Sequence, residues 1–166
     1  MFKRFLRWLE SKGRKHVIMD RDDLRPYLER YYIWYRDSVQ RERSDIFFNV
    51  FLHRFMLSDD PVFHNHPWNW YFSLVLSGGY WEHTPWGTKW RGKFSFRFIR
   101  TNRLKDYLGK KIPADLHWIE VPERGKTWTL FLRGRKTHDW GFVPKPGTGE
   151  WIQWAEYLEQ QRIGVK

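Results

Sequence analysis

The stretches His64-Asn65-His66-Pro67-Trp68 and Leu76-Ser77-Gly78-Gly79-Tyr80-Trp81-Glu82 decide the fold of this chain. In an extended backbone, residues i and i+2 point to the same side, so His64 and His66 face one small volume. Glycine has no Cβ and tolerates the backbone of a tight turn, so the Gly78-Gly79 pair predicts a turn between two apolar strands. These stretches therefore predict consecutive strands joined by a tight turn, with a pair of imidazoles close to their start.

A third histidine, His117, follows Ile112-Pro113-Ala114-Asp115-Leu116 after a basic stretch and a Gly109 turn. Neutral imidazole suits Fe, Zn, Cu and Ni, and three such ligands leave positions open for water or substrate. The chain contains no cysteine, so a metal would have to be held by histidines and carboxylates. We therefore predict that His64, His66 and His117 bind one metal ion. The alternative is a barrel without metal, in which the imidazoles are only hydrogen-bonded inside.

Short apolar segments fill the middle of the chain. Residues 46–56 are dense in Phe and Val, and residues 128–132 read Trp-Thr-Leu-Phe-Leu before Arg133-Gly134. Residues 94–99 alternate with period two, which gives a strand with one apolar face. Several short strands punctuated by Gly and Pro are typical of a β-barrel or sandwich, which we place at residues 45–143.

Helical spacing appears at both ends of the chain. The first predicted helix carries an apolar stripe of Phe2, Phe5, Leu6 and Leu9, and we expect it to dock on the barrel. A second predicted helix begins at Asp22 or Asp23 and carries Leu24, Tyr27, Leu28 and Tyr31. We therefore assign residues 1–40 to a helical extension. Residues 144–166 are predicted to form a C-terminal helix packed on the barrel, with Trp151, Trp154, Ala155 and Leu158 at helical spacing.

Together, these motifs resemble those of the cupin superfamily, in which a His-x-His strand ends in a Gly turn and a later Gly…Pro…His segment supplies a further ligand. The run from about residue 50 to 157 resembles a group of small, largely uncharacterised cupin-like proteins of bacteria and phages. The matching stretches are Leu52-His53-Arg54-Phe55, His64 to Trp68, Leu76 to Glu82, Thr127 to Phe131 and Trp140-Gly141-Phe142. The resemblance implies a mainly β fold, a cupin-type double-stranded β-helix or jelly-roll barrel with flanking N- and C-terminal helices.

The chain departs from the cupin pattern at two points. A standard cupin has a Glu ligand four residues after the second histidine, and Trp70 stands there instead. The second motif is one residue shorter between Pro113 and His117, and it lacks the usual Gly. The resemblance thus implies a three-histidine site, with Glu82 as the candidate for a further ligand or a general base. The alternative for Glu82 is a surface carboxylate paired with Lys or Arg.

The resemblance further implies one divalent transition metal, Fe(II) first and otherwise Mn, Ni or Zn. The corresponding function is a metal-dependent enzyme, such as a dioxygenase or isomerase, acting on a small or nucleotide-like molecule. Aromatic rings could stack on such a ligand, and the candidates are Trp68, Trp70, Tyr80 and Trp128. Arg54 and Arg97 are candidates to hold an anionic group. The alternatives are core packing for the rings and ion pairs at the barrel rim for the arginines.

The charge of the chain suggests a second class of function. Thirty Lys and Arg stand against 19 Asp and Glu, a net charge of +11. Residues 1–15 hold six basic side chains against Glu10 alone, and residues 86–111 hold nine against Asp106 alone. Such stretches attract phosphates, so the alternative function is a non-catalytic binding module for nucleic acid or a phosphorylated ligand. The competing explanation is solubility of a Trp-rich protein.

Composition excludes several classes. An aromatic content of 20% excludes disorder for most of the length. The absence of P-loop, dinucleotide-binding and G-x-S-x-G motifs excludes those nucleotide-binding and hydrolase classes. With no long apolar run, no secretory leader and no disulfide, we expect a cytoplasmic protein without a membrane span. Homodimers are common among cupins, so the resemblance includes a homodimer among the expected assemblies.

Overall fold

The structure, a computed structural model, describes residues 1–20, 24–35, 46–101, 103–145 and 147–163. Its elements in chain order are α1 (Phe2–Ser11), β1 (Lys15–Met19), β2 (Pro26–Tyr32), β3 (Asn49–Phe55), β4 (Phe63–His64), β5 (Trp70–Ser77), β6 (Gly79–Thr84), β7 (Gly87–Gly92), β8 (Phe96–Arg100), β9 (Leu104–Tyr107), β10 (Lys110–Pro113), β11 (Trp118–Glu120), β12 (Trp128–Arg133), β13 (Gly141–Val143), β14 (Ile152–Gln153) and α2 (Trp154–Ile163).

Two antiparallel sheets form the body of the protein. The first sheet has six strands in the order β1-β2-β3-β12-β5-β8. The second consists of two three-stranded parts, β14-β13-β4 and β11-β6-β7. Backbone hydrogen bonds between His64 and His117 connect these two parts, which lie side by side. A separate hairpin is made by β9 and β10.

The pairing of the strands is nested along the chain. β6 pairs with β7, β5 with β8, β4 meets the start of β11, and β3 pairs with β12. Each step outward along the chain therefore moves to the other sheet, so one long hairpin is wound into two layers. This is the strand order of a jelly roll. The predicted mainly β fold, a double-stranded β-helix with helices at both ends, is confirmed.

Gly78 closes the turn between β5 and β6 at a φ of +67°, in the left-handed region that glycine adopts at least cost. A Cβ at this position would also lie 2.8 Å from the backbone oxygen of Lys126. Both observations explain why the Gly-Gly turn in the sequence marks the boundary between two strands.

The helix α1 docks on the outer face of the first sheet. Leu9 is 1% exposed and packs with Tyr31 and Leu52, while Leu6 lies against the same cluster. Phe2 meets Trp128 edge-on, with ring centroids 5.3 Å apart. The first predicted helix is therefore confirmed. Leu6 and Leu9 of its apolar stripe pack on the sheet, whereas Phe5 is exposed and stacks on Trp8.

The second predicted helix is wrong. Asp22 and Asp23 lie outside the described residues, and the residues that follow form strand β2, paired with both β1 and β3. The misleading signal was the helical spacing of Leu24, Tyr27, Leu28 and Tyr31. The helix α1 packs on the outer face of β2, and the inner face of β2 points to the interior between the two sheets. Because both faces are covered, apolar residues are not confined to every second position. The sheet consequently extends beyond the predicted barrel at residues 45–143.

The strand at residues 96–100 places its apolar face outward. Phe96 and Phe98 are exposed, whereas Arg97 and Ile99 point to the interior. Phe94 belongs to the preceding turn, with a φ of +66°. The period-two alternation is thus confirmed, but its apolar face meets solvent.

The C-terminal helix α2 begins at Trp154, and its Trp154 ring stacks on that of Trp140. Phe142 packs against Tyr157 of the same helix, with ring centroids 4.3 Å apart. α2 therefore lies against β13, as predicted for the C-terminal region. Within the described residues, neither helix has the length and apolar character needed to cross a bilayer.

Candidate metal centre

His64 and His117 stand directly opposite each other on neighbouring strands. Each backbone N–H donates to the carbonyl oxygen of the other, and both N···O distances are 3.0 Å. Opposed residues of an antiparallel pair project from the same face of the sheet. Their ring centroids are accordingly 5.1 Å apart. The two imidazoles are brought together by strand register rather than by a loop.

His66 follows His64 by two residues, and its ring lies beside the other two imidazoles. Its backbone N–H donates to Asp115 Oδ2 at 2.9 Å, and Asp115 is fully buried. The His66 ring lies 5.0 Å from that of His117 and 5.5 Å from that of His64, between centroids. The buried carboxylate therefore ties the His-x-His segment to the strand that supplies the third histidine.

Asn65, between the two histidines, points the other way. Its Oδ1 accepts hydrogen bonds from the Gly141 backbone N–H at 2.8 Å and from Trp151 Nε1 at 3.0 Å. The His-Asn-His alternation thus has a structural reason on both faces. The imidazoles face the interior, and the amide anchors β13 and the segment before α2.

The three histidines fit one metal ion. One ring nitrogen from each lies within 4.8 Å of the others. Two imidazole nitrogens bound to one ion at about 2.1 Å are at most about 4.2 Å apart, so small side-chain rotations close the set. Among the described residues, these three histidines form the group of His, Asp or Glu side chains whose ligand atoms lie close enough together to hold a metal ion.

His117 Nδ1 lies 2.7 Å from the carbonyl oxygen of Asp115 and 3.0 Å from Arg97 Nη1. Only one of these contacts is a hydrogen bond for a given tautomer. When Nδ1 carries the proton, it donates to Asp115 and leaves the lone pair of Nε2 for a metal. A backbone carbonyl that fixes the tautomer in this way is a common support for a metal-binding histidine.

Burial keeps two of the imidazoles neutral. It lowers the pKa of His66 and of His117 well below the usual value, and the positive charge of Arg97 lowers both further. A metal competes with protons for imidazole nitrogen. His66 and His117 can therefore each offer a nitrogen lone pair to a cation without first losing a proton at neutral pH.

The histidines line a cavity of about 490 Å³ between the two sheets. The opposite wall belongs to the inner face of the first sheet and includes Leu28, His53, Phe55, Thr129 and Phe131. A cavity of this size accommodates a small molecule, with apolar walls and a few polar groups.

Glu82 is not brought into the histidine cluster. Its Oε2 accepts hydrogen bonds from Arg91 Nε at 2.8 Å and from Arg91 Nη2 at 2.6 Å. Its Oε1 accepts a hydrogen bond from Arg97 Nη1. The carboxylate is 2% exposed and lines the cavity, so it is a buried partner of two guanidinium groups. The surface position considered as the alternative in the sequence is wrong, while the arginine pairing is present.

Three of the six predicted substrate-binding residues lie on the cavity wall. Trp68 stacks on His66, with ring centroids 5.1 Å apart. Tyr80 is buried there, and burial raises its pKa to about 12. Arg97 reaches the same cavity from β8 because the residue beside it on β5, Ser73, is small.

The other three are placed outside the cavity lining. Arg54 donates to the Gly125 carbonyl oxygen at 2.9 Å and pairs with Glu29 at 3.3 Å. Trp128 lies under α1, and Trp70 faces outward against Phe98. For these residues, the structure shows the ion pair and the packing contacts that were the alternatives.

Three polar side chains of the cavity wall were not among the predicted site residues. His53 accepts a hydrogen bond from Arg30 Nε at 3.1 Å across neighbouring strands, and both line the cavity. Tyr71 is 2% exposed, and its hydroxyl has no hydrogen-bond partner among the described residues. The signal for Arg30 was hidden because residues 26–32 were assigned to a helix, where Arg30 has no cross-strand neighbour.

Comparison with protein-family models and with curated proteins finds no match. Among solved structures, KdgF from Halomonas sp. is similar at 11% identity with a TM-score of 0.45, covering 72% of this chain and 92% of that chain. An RmlC-like cupin protein from Ralstonia eutropha JMP134 is similar at 9% identity with a TM-score of 0.45, covering 92% of this chain and 83% of that chain.

The fold is defined by the strand order of the chain itself. The nested pairs, from β6 and β7 at the centre to β3 and β12 at the outside, are wound through two facing sheets. The histidines lie where β4 meets the strand that follows His117. With this strand order and this cluster, the chain has the cupin-type double-stranded β-helix fold.

Proposed function

We propose that this protein is a metal-dependent enzyme whose reaction takes place in the cavity beside His64, His66 and His117. The observation that carries the proposal is the meeting of three imidazole nitrogens within 4.8 Å on the wall of a cavity large enough for a small molecule. Imidazole ligands without a thiolate suit first-row metals such as Fe, Ni and Zn. Following the resemblance to cupins, we propose Fe(II) first, and Mn, Ni or Zn otherwise.

The Asp115 carboxylate ties the segment that carries His66 to the segment that carries His117. The two histidines would therefore bind the ion from fixed positions. When bound, a divalent ion supplies Lewis-acid polarisation of a substrate or water oxygen, and Fe(II) adds redox chemistry. With three protein ligands, coordination positions remain open toward the cavity.

The remaining residues of the cavity would bind and orient the substrate. The Trp68 and Tyr80 rings offer flat surfaces, and the Arg97 guanidinium offers a positive charge beside His117. Arg97 is itself fixed by Glu82, so we assign Glu82 a positioning role through Arg97 in place of metal ligation. Arg54, Trp70 and Trp128 have no part in this proposal.

Apolar side chains would exclude water from the reacting atoms. Phe131 projects from β12 of the first sheet into the cavity, with its ring centroid 6.3 Å from that of His66 and 5.4 Å from that of Trp68. In such a water-poor site, electrostatic interactions with a charged group are stronger than in solvent.

Metal analysis tests the first half of the proposal. Protein purified without a histidine tag should carry close to one transition-metal ion per chain, and titration of the chelator-treated protein with Fe(II), Mn(II), Ni(II) and Zn(II) should saturate near that ratio. His64→Ala/His66→Ala and His117→Ala should lose this site. His83→Ala should retain it, because His83 lies on the outer face, stacked on Trp118. Equal metal contents in all four proteins would contradict the proposal.

Turnover tests the second half. Metal-loaded wild type and His64→Ala/His66→Ala are incubated with a small-molecule extract, and consumption is followed by mass spectrometry. We expect at least one compound to be consumed by the wild type alone. If metal binds as predicted and no compound is consumed, the cavity is a binding site without catalysis.

A further inference from the structure

The outer face of β8 carries exposed aromatic rings at the free edge of the first sheet. Phe96 is 65% exposed and Phe98 is 54% exposed, and Phe94 in the preceding turn is 67% exposed. β8 pairs with β5 on one side and ends the sheet on the other. An exposed apolar edge strand promotes aggregation unless it has a partner, so this face requires an explanation.

The neighbouring strand extends the same face. Cross-strand register places Phe72 opposite Phe98, and Trp70 opposite Arg100. Phe72 stacks with Phe96, and Trp70 packs against Phe98, both with ring centroids 6.1 Å apart. We call this surface the aromatic edge, defined by Trp70, Phe72, Phe94, Phe96 and Phe98.

The charges around the aromatic edge are positive. Arg100 is exposed on the same face, and the Lys93 ammonium lies 4.9 Å from the centroid of the Phe94 ring. The acidic residue of the 86–111 stretch, Asp106, is paired with Lys111 at 2.8 Å. The aromatic edge therefore has a basic border.

This charge pattern separates two kinds of occupant. A second copy of the chain, docked about a two-fold axis, would bring one basic border against another, which is repulsive. A polyanion would be attracted by the same border. A polyanion that also offers flat unpaired bases matches both the charge and the rings.

We propose that the aromatic edge binds single-stranded nucleic acid. Phe96 and Phe98 are two residues apart on one strand, so their side chains leave the same face about 7 Å from each other. Two neighbouring bases can each stack on one ring, while Arg100 and Lys93 meet the phosphates. Stacking on an aromatic ring tolerates any base, so binding should show little sequence preference. The proposal is independent of the metal centre, which faces the opposite side of the same sheet.

Fluorescence anisotropy with a labelled oligo(dT) of about 20 nucleotides tests the proposal, since sites of this kind cover about 4–16 nucleotides. Phe96→Ala/Phe98→Ala should weaken binding by about tenfold or more, because each stacked base contributes about 1–3 kcal/mol. Arg100→Gln should weaken it and reduce the slope of log K against log salt by about 0.7, the value for one phosphate contact on a single strand.

Two control variants are matched to these changes. Trp8→Ala removes an exposed ring from α1, and Lys145→Gln removes an exposed charge near α2. Both should bind as the wild type does. All the substituted side chains are exposed, and circular dichroism with thermal unfolding confirms that each variant is folded.

Three results would overturn the proposal. One is the absence of salt-dependent binding by the wild type. The second is unchanged binding by both Phe96→Ala/Phe98→Ala and Arg100→Gln. The third is a wild-type dimer, measured by sedimentation, that Phe96→Ala/Phe98→Ala converts to a monomer without any binding of oligo(dT), since the aromatic edge would then be a subunit interface.

Discussion

The Glu82 carboxylate holds the Arg97 guanidinium against the histidine cluster of His64, His66 and His117. Arg97 Nη1 donates to Glu82 Oε1 and lies 3.0 Å from His117 Nδ1. A second guanidinium, that of Arg91, binds the other carboxylate oxygen. The positive charge nearest to the histidines is therefore fixed by a buried ion-pair network rather than by a flexible side chain.

Glu82→Gln should destabilise the protein by about 3–5 kcal/mol, the usual cost of removing one partner from a buried ion pair. The variant would leave the two half-buried guanidinium groups of Arg91 and Arg97 with one amide oxygen between them. Urea unfolding followed by Trp fluorescence measures the change. Glu120→Gln is the control, since that carboxylate is half exposed and its pairing with His83 should contribute less than about 1 kcal/mol. Equal unfolding midpoints for the two variants would contradict the network.

Tyr71→Phe should leave the stability unchanged or raise it by about 1 kcal/mol. Within the part of the chain that the structure describes, the Tyr71 hydroxyl is buried without a hydrogen-bond partner, and an unsatisfied buried polar group costs about 1–3 kcal/mol. Thr127→Val is the contrasting variant. Its hydroxyl donates to the Gly79 carbonyl at 2.7 Å and accepts from the Gly79 N–H at 3.3 Å. Thr127→Val should therefore lower the melting temperature, and a drop of the same size for Tyr71→Phe would show that Tyr71 does have a partner.

Leu9→Ala should destabilise the protein by about 2–5 kcal/mol, because it opens a cavity between α1 and the first sheet. Leu9 is buried against Tyr31 and Leu52. Trp8→Ala on the same helix should change the stability by less than about 0.5 kcal/mol, because Trp8 is exposed. Thermal unfolding of both variants measures the difference. Similar melting temperatures would mean that α1 does not dock as described.

The stability contributed by His53 should depend on pH. Burial lowers the pKa of His53 well below its usual value, and the positive charge of Arg30 lowers it further. In the unfolded chain, His53 regains its ordinary pKa of about 6.5. Below that pH the unfolded state binds a proton that the folded state does not, so the free energy of unfolding falls as the pH falls. Above about pH 6.5 the contribution is complete.

Urea unfolding of chelator-treated wild type and His53→Gln between about pH 7.5 and 5 isolates this effect, with a maximum of about 1.4 kcal/mol per pH unit for one group. The difference in stability between the two proteins should shrink or reverse toward low pH. A constant difference between wild type and His53→Gln would contradict the assignment of a neutral buried imidazole.

Features that depend on residues near one another in the chain can be read from the amino-acid sequence alone. The His-x-His alternation placed His64 and His66 on one face, because the side-chain period of a strand is two. Gly78 marked the turn between β5 and β6, because its positive φ and its contact with Lys126 exclude a Cβ. The short strands and the segment that ends in His117 indicated a β-barrel or sandwich and a third histidine, and the resemblance to cupins added the double-stranded β-helix. The nested strand order and the bridge between His64 and His117 agree with these expectations.

The tertiary structure sets the cross-strand register and determines which face of each strand is covered. It made residues 26–32 a strand, because α1 covers one side of it and the cavity lies on the other, and a helical spacing of apolar residues is compatible with that double burial. It directed Glu82 to Arg91 and Arg97, and it turned Phe96 and Phe98 toward solvent. The periodic spacing of apolar residues along a strand indicates that its two faces differ in polarity. Which face is buried, and which side chain lies opposite, follows only from the pairing of strands that are distant in the chain.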